Sequence, residues 1–541
     1  MSALSRREFV AGVLGAAALQ HCRAAPATLP PGELFLPGKA AGHRLRDGAL
    51  SLGRLGAVSP GRPERVERAR VVIVGGGAAG LSAAWRLTRA GLRELVVLEL
   101  DDAPGGTARA GASPVTPYPW GAHYIVAPLP EQRNLVALLD EMGALEPGTE
   151  PPSVAESAAC REPEERIFHL GRWYSGLYLH AGASPDDRAQ LQRFQDEIAR
   201  WVGFRDAAGR RAFALPSSAA STAGEITALD RESFATWLDT RGLTSPRLRW
   251  LADYACRDDY GLLAADTSAW AGIAYFAARI AQPGDEAQPV VTWPEGNGRI
   301  MRHLSERIGT ALRLRHLVAS VTPNERGVDV VAEAEAGAVR FSAERVILAT
   351  PDLINRRIFP ALDAARRARP ELDRGAWAVA NLHLSERPRA RPDDAPLAWD
   401  NVLYDSKSLG YVVATHQSGR DHGPSVFTWY YPFTGDGSAA RRALDGASRE
   451  DWAEAALADL ERAHPDIRPL CQRIDVAYWG HGMARPRVGS VFQPALAAAR
   501  APLGNVFFAG SELSGLSLFE EALDHGVRAA EEVLVSLGWR S

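Results

Sequence analysis

Ala69-Arg70-Val71-Val72-Ile73-Val74-Gly75-Gly76-Gly77-Ala78-Ala79-Gly80 is the stretch on which the fold turns. Its first half is a β-branched apolar run without polar alternation, the pattern of a parallel strand buried on both faces. Gly75, Gly77 and Gly80 follow at the spacing G-x-G-x-x-G, and Leu81-Ser82-Ala83-Ala84-Trp85-Arg86-Leu87 continues as a helix. The first glycine permits a tight turn, the second lets a pyrophosphate approach the backbone, and the third lets helix and strand pack closely. Ala79 lies inside the same turn and is grouped with the cofactor-binding backbone. A second apolar strand, Glu94-Leu95-Val96-Val97-Leu98, ends in Glu99, 19 residues beyond Gly80. That is where a carboxylate accepts hydrogen bonds from an adenosine ribose. Strand, turn, helix, strand and acid in register predict a dinucleotide site.

The next residues separate FAD from NAD. Pro104-Gly105-Gly106-Thr107-Ala108-Arg109 follows Glu99 closely. Such a Gly-Gly turn with a downstream arginine offers backbone donors and a fixed cation beside a pyrophosphate. It resembles the second signature of the flavin amine oxidase superfamily, x-G-G-R-x-x-[ST], with Thr107 in place of the first arginine and Arg109 supplying the charge. Three later segments extend the resemblance. Tyr118-Pro119-Trp120-Gly121-Ala122-His123-Tyr124-Ile125 resembles the segment that runs along the flavin ring, with Gly121 and Ala122 against the ring. Leu317-Val318-Ala319-Ser320-Val321 resembles the strand whose valine, here Val318, contacts adenine through its backbone. Asn505-Val506-Phe507-Phe508-Ala509-Gly510-Ser511-Glu512 resembles the closing N-[LV]-[FY]-F-A-G-[ST]-E, and Glu520 with Gly526-Val527-Arg528-Ala529-Ala530 matches the final helix.

The resemblance implies an α/β fold: a Rossmann-like FAD-binding domain interleaved with a sheet-plus-helix substrate domain. The FAD domain is expected at 69–154, 286–360 and 473–541, and the substrate domain at 155–285 and 361–472. It also implies that Gly510 and Glu512 hold the ribityl chain and that Phe519, at the start of the last helix, faces the flavin. The shared chemistry is hydride removal from a carbon to flavin, next to an amine in the amine, polyamine and amino-acid oxidases. Desaturation or isomerisation of an apolar isoprenoid-like substrate is the alternative within related enzymes. A non-catalytic, flavin-stabilised binding protein is a further one.

Departures from the family pattern sharpen these expectations. Some members attach FAD through a cysteine before the closing motif, but Tyr478-Trp479-Gly480-His481-Gly482-Met483-Ala484-Arg485 contains none, so non-covalent FAD is expected. A lysine commonly follows the A-x-P strand by about six residues and helps position water at N5. Counted from Ala349-Thr350-Pro351, that place falls to Arg357 or its neighbour Arg356. Leu518 replaces an aromatic of the usual amine cage.

Candidate catalytic groups follow from placement. His123 is either a proton acceptor by the flavin, since imidazole titrates near neutral pH, or a histidine hydrogen-bonded to backbone. Arg357 and His481 are candidates for the flavin's surroundings. Asp258 and Asp259, within Arg257-Asp258-Asp259-Tyr260-Gly261, either recognise a cationic substrate or form a structural salt link. Trp429 and Tyr430 lie on one strand, so only one can face the pocket.

Composition fits this reading. At 541 residues the chain exceeds one ordinary core. A hydrophobic content of 46% and a net charge of -4 are ordinary for a globular protein and carry no nucleic-acid signal. Cys22, Cys160, Cys256 and Cys471 show no metal-ligand spacing, and leave open one disulfide or none. At the start, Ser5-Arg6-Arg7-Glu8-Phe9-Val10 precedes an apolar run to Leu19 that is too short to span a bilayer. It reads as a twin-arginine signal peptide over 1–27, cleaved after Ala27, which makes the export machinery a partner and the periplasm the destination. Residues 28–68 have no helical or strand period and are expected as an extended arm.

Overall fold

The computed structural model describes residues 29–47, 65–365 and 372–539. The signal-peptide segment and Cys22 lie outside them. Two sheets organise the chain. The first has the order Leu312–Arg313, Leu95–Leu98, Arg65–Val74, Gly337–Leu348, Gly327–Ala334 and Leu317–Asn324, with Val506–Phe508 also paired to Gly337–Leu348. Arg65–Val74 pairs in parallel on both sides, Val74 opposite Leu98 and Leu348. Both faces of this strand are therefore covered, as its unbroken apolar run requires. Val71 and Ile73 join a core with Leu81, Ile300, Leu304, Leu523 and Val527. Val72 and Val74 point the other way, into a core with Val330, Phe341, Ile358 and Phe508. The C-terminal helix Phe519–Ser536 lies on Ala78–Arg89 so closely that a Cβ on Gly526 would stand 2.3 Å from the Ala79 carbonyl oxygen.

The second sheet runs Leu34–Phe35, Cys471–Ala484, Arg374–Leu384, Ser425–Pro432, Tyr411–Val413, Asp400–Leu403, Glu165–His169 and Arg172–Ser175. One face packs on the helix Arg449–Glu461 through Ala378, Trp429, Trp452 and Leu460. The other presents Trp377, Val379 and Tyr430 toward Trp120 and Tyr254. Four helices, Pro185–Gly203, Phe234–Asp239, Pro246–Tyr260 and Ala269–Ala277, build a separate aromatic core around Phe194, Phe234, Trp237 and Trp270. Ser184 opens the first of them with a full capping box and proline in the first turn.

Two expectations need correction here. The described part of the arm is not featureless. Leu34–Phe35 adds a parallel strand to the sheet edge, and Lys39–Arg46 is a helix entered through left-handed Gly38. Neither carries a period because tertiary docking holds both. The boundary at 472 also falls inside a single strand, Cys471–Ala484, which belongs wholly to the second sheet.

Candidate active site

Two glycine turns meet at the C-terminal ends of the first sheet. The Gly105 N–H donates to the Gly76 carbonyl at 2.8 Å, and Gly77 bridges Gly105 in parallel fashion. Gly75 has φ +105°, and a Cβ there would strike the Ala349 carbonyl oxygen at 2.9 Å. On Gly80 it would lie 1.9 Å from the Gly75 carbonyl oxygen, so helix and strand touch. Gly77, the N-cap of Ala78–Arg89, is different: nothing lies within 4 Å of a Cβ built on it. Open space above a helix N-terminus is the place for a pyrophosphate. Glu99 accepts from the Gly76 N–H at 2.7 Å and from the Asp101 N–H at 2.8 Å, and burial raises its pKa despite these bonds. The His316 N–H donates to the Glu99 carbonyl at 2.8 Å, which brings the strand of Val318 beside it. A bulge between Val318 and Ser320 takes Ala319 out of the ladder beside Glu99, at the edge of the sheet. These residues fit the adenosine diphosphate half of FAD.

From the turns a cavity opens between the sheets. Its wall includes Thr107, Gly121, Ala122, His123, Trp377, Val379, Tyr430, Trp479, Gly482, Ser511, Leu518 and Phe519. The sequence-derived Gly121, Ala122 and Phe519 thus converge on one chamber, and the helix of Phe519 points its N-terminus there. Tyr430 rather than Trp429 faces it; the Trp429 indole turns away to donate to Asp459 at 2.9 Å. The Tyr430 hydroxyl donates to the Gly121 carbonyl at 2.9 Å. Gly510 has φ +143° with nothing near its Cβ position, consistent with a ligand approach.

Acidic groups line the far side. Asp258, Asp259 and Glu520 all reach the cavity wall, with Arg279 the only cation among its described residues. Arg279 pairs with Asp259 at 2.7 Å and lies 3.9 Å over the Tyr275 ring. The Tyr124 hydroxyl donates to Asp258 at 2.9 Å. Burial raises Asp258 well above the carboxylate range, and the Asp259 charge adds to it. Behind it, Tyr254 donates to Asp400 at 2.9 Å, and burial pushes Asp400 up to about 8. Glu165 is raised in the same way, with Asp400 and Glu164 adding like charge. Glu520 is raised to about 7 by burial and then by Asp259. Asn297 donates its amide to the Tyr124 carbonyl at 3.0 Å, which fixes its orientation and leaves its Oδ1 buried without a partner in the cavity wall. These acceptors come from five distant segments, of which the sequence pointed to the pair at 258–259 and, through the final-helix motif, to Glu520.

Two site expectations change, those for Arg357 and His481. Arg357 is exposed near the end of the helix Asp352–Ile358 and donates to the Arg46 carbonyl at 3.1 Å, away from the cavity. Arg356 is tied to Asp352 and Asp363. The count that placed them by the flavin ran through a helix that curls back from the strand end. Neither lysine of the chain, Lys39 or Lys407, lines the cavity. His481 is exposed and outside the wall that its strand neighbours Trp479, Gly482 and Met483 form. His123 is in the wall, but burial without an acidic partner lowers it to about 4, and its ring stacks on Tyr430 at 4.6 Å. It is a neutral wall residue and a weak base. Glu512 accepts from the Asp352 N–H and pairs with Arg374 at 2.7 Å, and Ser511 beside it lines the cavity. Arg109 stands just behind Gly105, paired with Asp102 at 2.7 Å.

A Rossmann-like sheet with two interlocked glycine turns, opening onto a chamber roofed by a second sheet, defines a flavin-dependent oxidoreductase of two interleaved domains. The chain belongs to the family of flavin containing amine oxidoreductases, which residues 78–534 match. Solved structures share the fold. Putrescine oxidase with bound putrescine is 20% identical, with a TM-score of 0.64 covering 87% of this chain and all of that one. Cyclohexylamine oxidase from Brevibacterium oxydans IH-35A is 19% identical, with a TM-score of 0.58 covering 87% of this chain and 99% of that one. A putative protoporphyrinogen oxidase from Exiguobacterium sp. 255-15 is 15% identical, with a TM-score of 0.59 covering 88% of this chain and all of that one. Mitochondrial dimethylglycine dehydrogenase of Mus musculus is 33% identical over 140 residues, 24% of this chain and 16% of that protein.

Proposed function

We propose that the chain oxidises a cationic amine, using non-covalently bound FAD, and that extended amines with a second ammonium group are its preferred substrates. The observation that carries this reading is the acceptor set of the cavity. Glu520 and Asp258, the latter also accepting from Tyr124, supply carboxylates and Asn297 an orphaned Oδ1, in a wall that also holds Trp377, Val379, Trp479 and Leu518. A ligand that satisfies three acceptors must bring several N–H donors and positive charge. Bound FAD would supply the acceptor for the hydride on the carbon beside nitrogen.

The protein residues do the rest. Trp377, Val379, Trp479 and Leu518 exclude water and hold the alkyl chain. Hydride loss needs a free nitrogen lone pair, so the ammonium must first give up a proton. Glu520, held at about 7, is better matched to accept it than His123 at about 4. Asp400 and Glu165 stand behind Asp258, where a second ammonium would reduce their mutual repulsion.

The described cysteines, Cys160, Cys256 and Cys471, are free thiols outside the cavity wall, which supports a dissociable cofactor. Among the described residues no helix is long and apolar enough to cross a membrane. We further propose export by the twin-arginine route to the periplasm, a reading that rests on Ser5-Arg6-Arg7-Glu8-Phe9. Anaerobic mixing with diamines, monoamines and apolar polyenes tests the substrate reading. Bleaching of the flavin by diamines at lower concentration than by monoamines is expected. Bleaching by polyenes alone would overturn it.

A further inference from the structure

We propose that residues 29–47 are a strap that retains the cofactor, with Phe35 as the positioning residue at its centre; the inference rests on the flavin reading above.

The strap is fastened to both sheets. At its start the Ile474 and Val476 N–H groups donate to the Pro31 and Glu33 carbonyls, each at 2.9 Å. Gly32 lies so close that a Cβ would stand 1.8 Å from the Ile474 carbonyl oxygen. At its end the helix Lys39–Arg46 reaches across to the first sheet, where Arg44 pairs with Glu333 at 2.7 Å. Lys39 pairs back to Asp445 at 2.7 Å, on the helix that flanks the second sheet. Between these ends the Gly38 N–H donates to Asp101 at 3.0 Å, two residues beyond Glu99.

Phe35 sits at the seam. Its ring stacks on Trp120 with centroids 4.9 Å apart, meets Trp479 edge-on at 6.4 Å, and lies under the Arg109 guanidinium at 4.7 Å. The three neighbours have three different duties. Arg109 ends the second glycine turn, Trp120 precedes Gly121 and Ala122, and Trp479 is cavity wall. The Trp479 indole donates to the Trp120 carbonyl at 2.7 Å, closing the group. One apolar ring thus couples the glycine turns to the chamber. Separating the turns from the chamber wall must strip Phe35 from aromatic and cation–π contacts. Docking of the strap and binding of FAD are therefore linked, and each favours the other.

The test follows FAD release from the holoenzyme by the rise of free-flavin fluorescence after dilution. Phe35→Ala is expected to speed release tenfold or more, and Phe35→Tyr to restore it to within twofold of the natural chain. Lys39→Ala with Arg44→Ala, which cuts only surface anchors, is expected to speed release at least threefold with an unchanged flavin spectrum, and carries the test if Phe35→Ala fails to fold. Thermal melts of holo and flavin-stripped protein separate retention from general stability. Retention predicts that the gap between the two melts shrinks in Phe35→Ala. Unchanged release, or an equal drop in both melts with the gap intact, would overturn the strap. A natural chain that purifies without flavin and gains none on FAD addition would instead overturn the cofactor reading.

Discussion

Replacing Glu520 by glutamine keeps its shape and removes its charge. In the folded protein burial lifts this carboxyl from 4.5 to about 7. Roughly nine-tenths of it is ionised at pH 8 and only a few per cent at pH 5.5. A charge-assisted hydrogen bond to an ammonium contributes about 1.5–3 kcal/mol, so Glu520→Gln should weaken amine binding roughly tenfold to a hundredfold at pH 8. At pH 5.5, where the natural residue is already neutral, the two proteins should converge. Anaerobic titration of a non-reactive amine, read from the flavin absorption spectrum, measures both. Stability moves the other way. An acid raised in the folded state keeps a proton that the unfolded chain has released, so its contribution is present below about pH 4.5 and lost as pH rises through 7. The shift of about 2.5 units corresponds to about 3 kcal/mol. Glu520→Gln should therefore grow more stable than the natural chain as pH goes from 5.5 to 8, seen in urea unfolding without amine. An equal loss of binding at both pH values, or an equal loss for the matching uncharged alcohol, would refute the charge argument.

Gly77→Val should fold and fail to bind flavin, because its Cβ meets only open space, whereas Gly80→Ala should be destabilised outright by contact with the Gly75 carbonyl; circular dichroism and flavin content distinguish them. Arg357→Ala should leave flavin reduction within twofold of the natural chain in stopped-flow traces, as an exposed side chain requires. Acid precipitation should release yellow FAD into the supernatant, and a coloured pellet would contradict non-covalent binding.

The glycine turns were legible in sequence because backbone demands leave a chemical trace: Gly75 needs its positive φ and Gly80 its missing side chain. Gly121, Ala122 and Phe519 were legible through resemblance, which transfers along a motif residue by residue. Arg357 failed because counting from a strand end assumes a path that the helix Asp352–Ile358 does not take. Of the two readings of His123, the structure favours the histidine hydrogen-bonded to backbone, since a site that removes water and offers no counter-charge lowers an imidazole. The acid wall was legible only in part, through the pair at 258–259 and the motif that holds Glu520. Glu165 and Asp400 had no local signature: they lie opposite each other on neighbouring parallel strands of the second sheet, while Asp258 and Glu520 come from helices. The strap was invisible for a similar reason: two strand residues and one helix of eight are too short to carry a clear period, and their order comes from docking.

The close contact of Gly526 with Ala79 ties two distant parts of the described chain together. The helix that bears the glycine turn is roofed by the last helix of the fold, and the strand Val506–Phe508 that precedes that roof pairs with Gly337–Leu348. The fingerprint at residues 75–80 and the chamber it opens onto are therefore parts of one packing unit, and a side chain at position 526 would push apart the two helices that frame them.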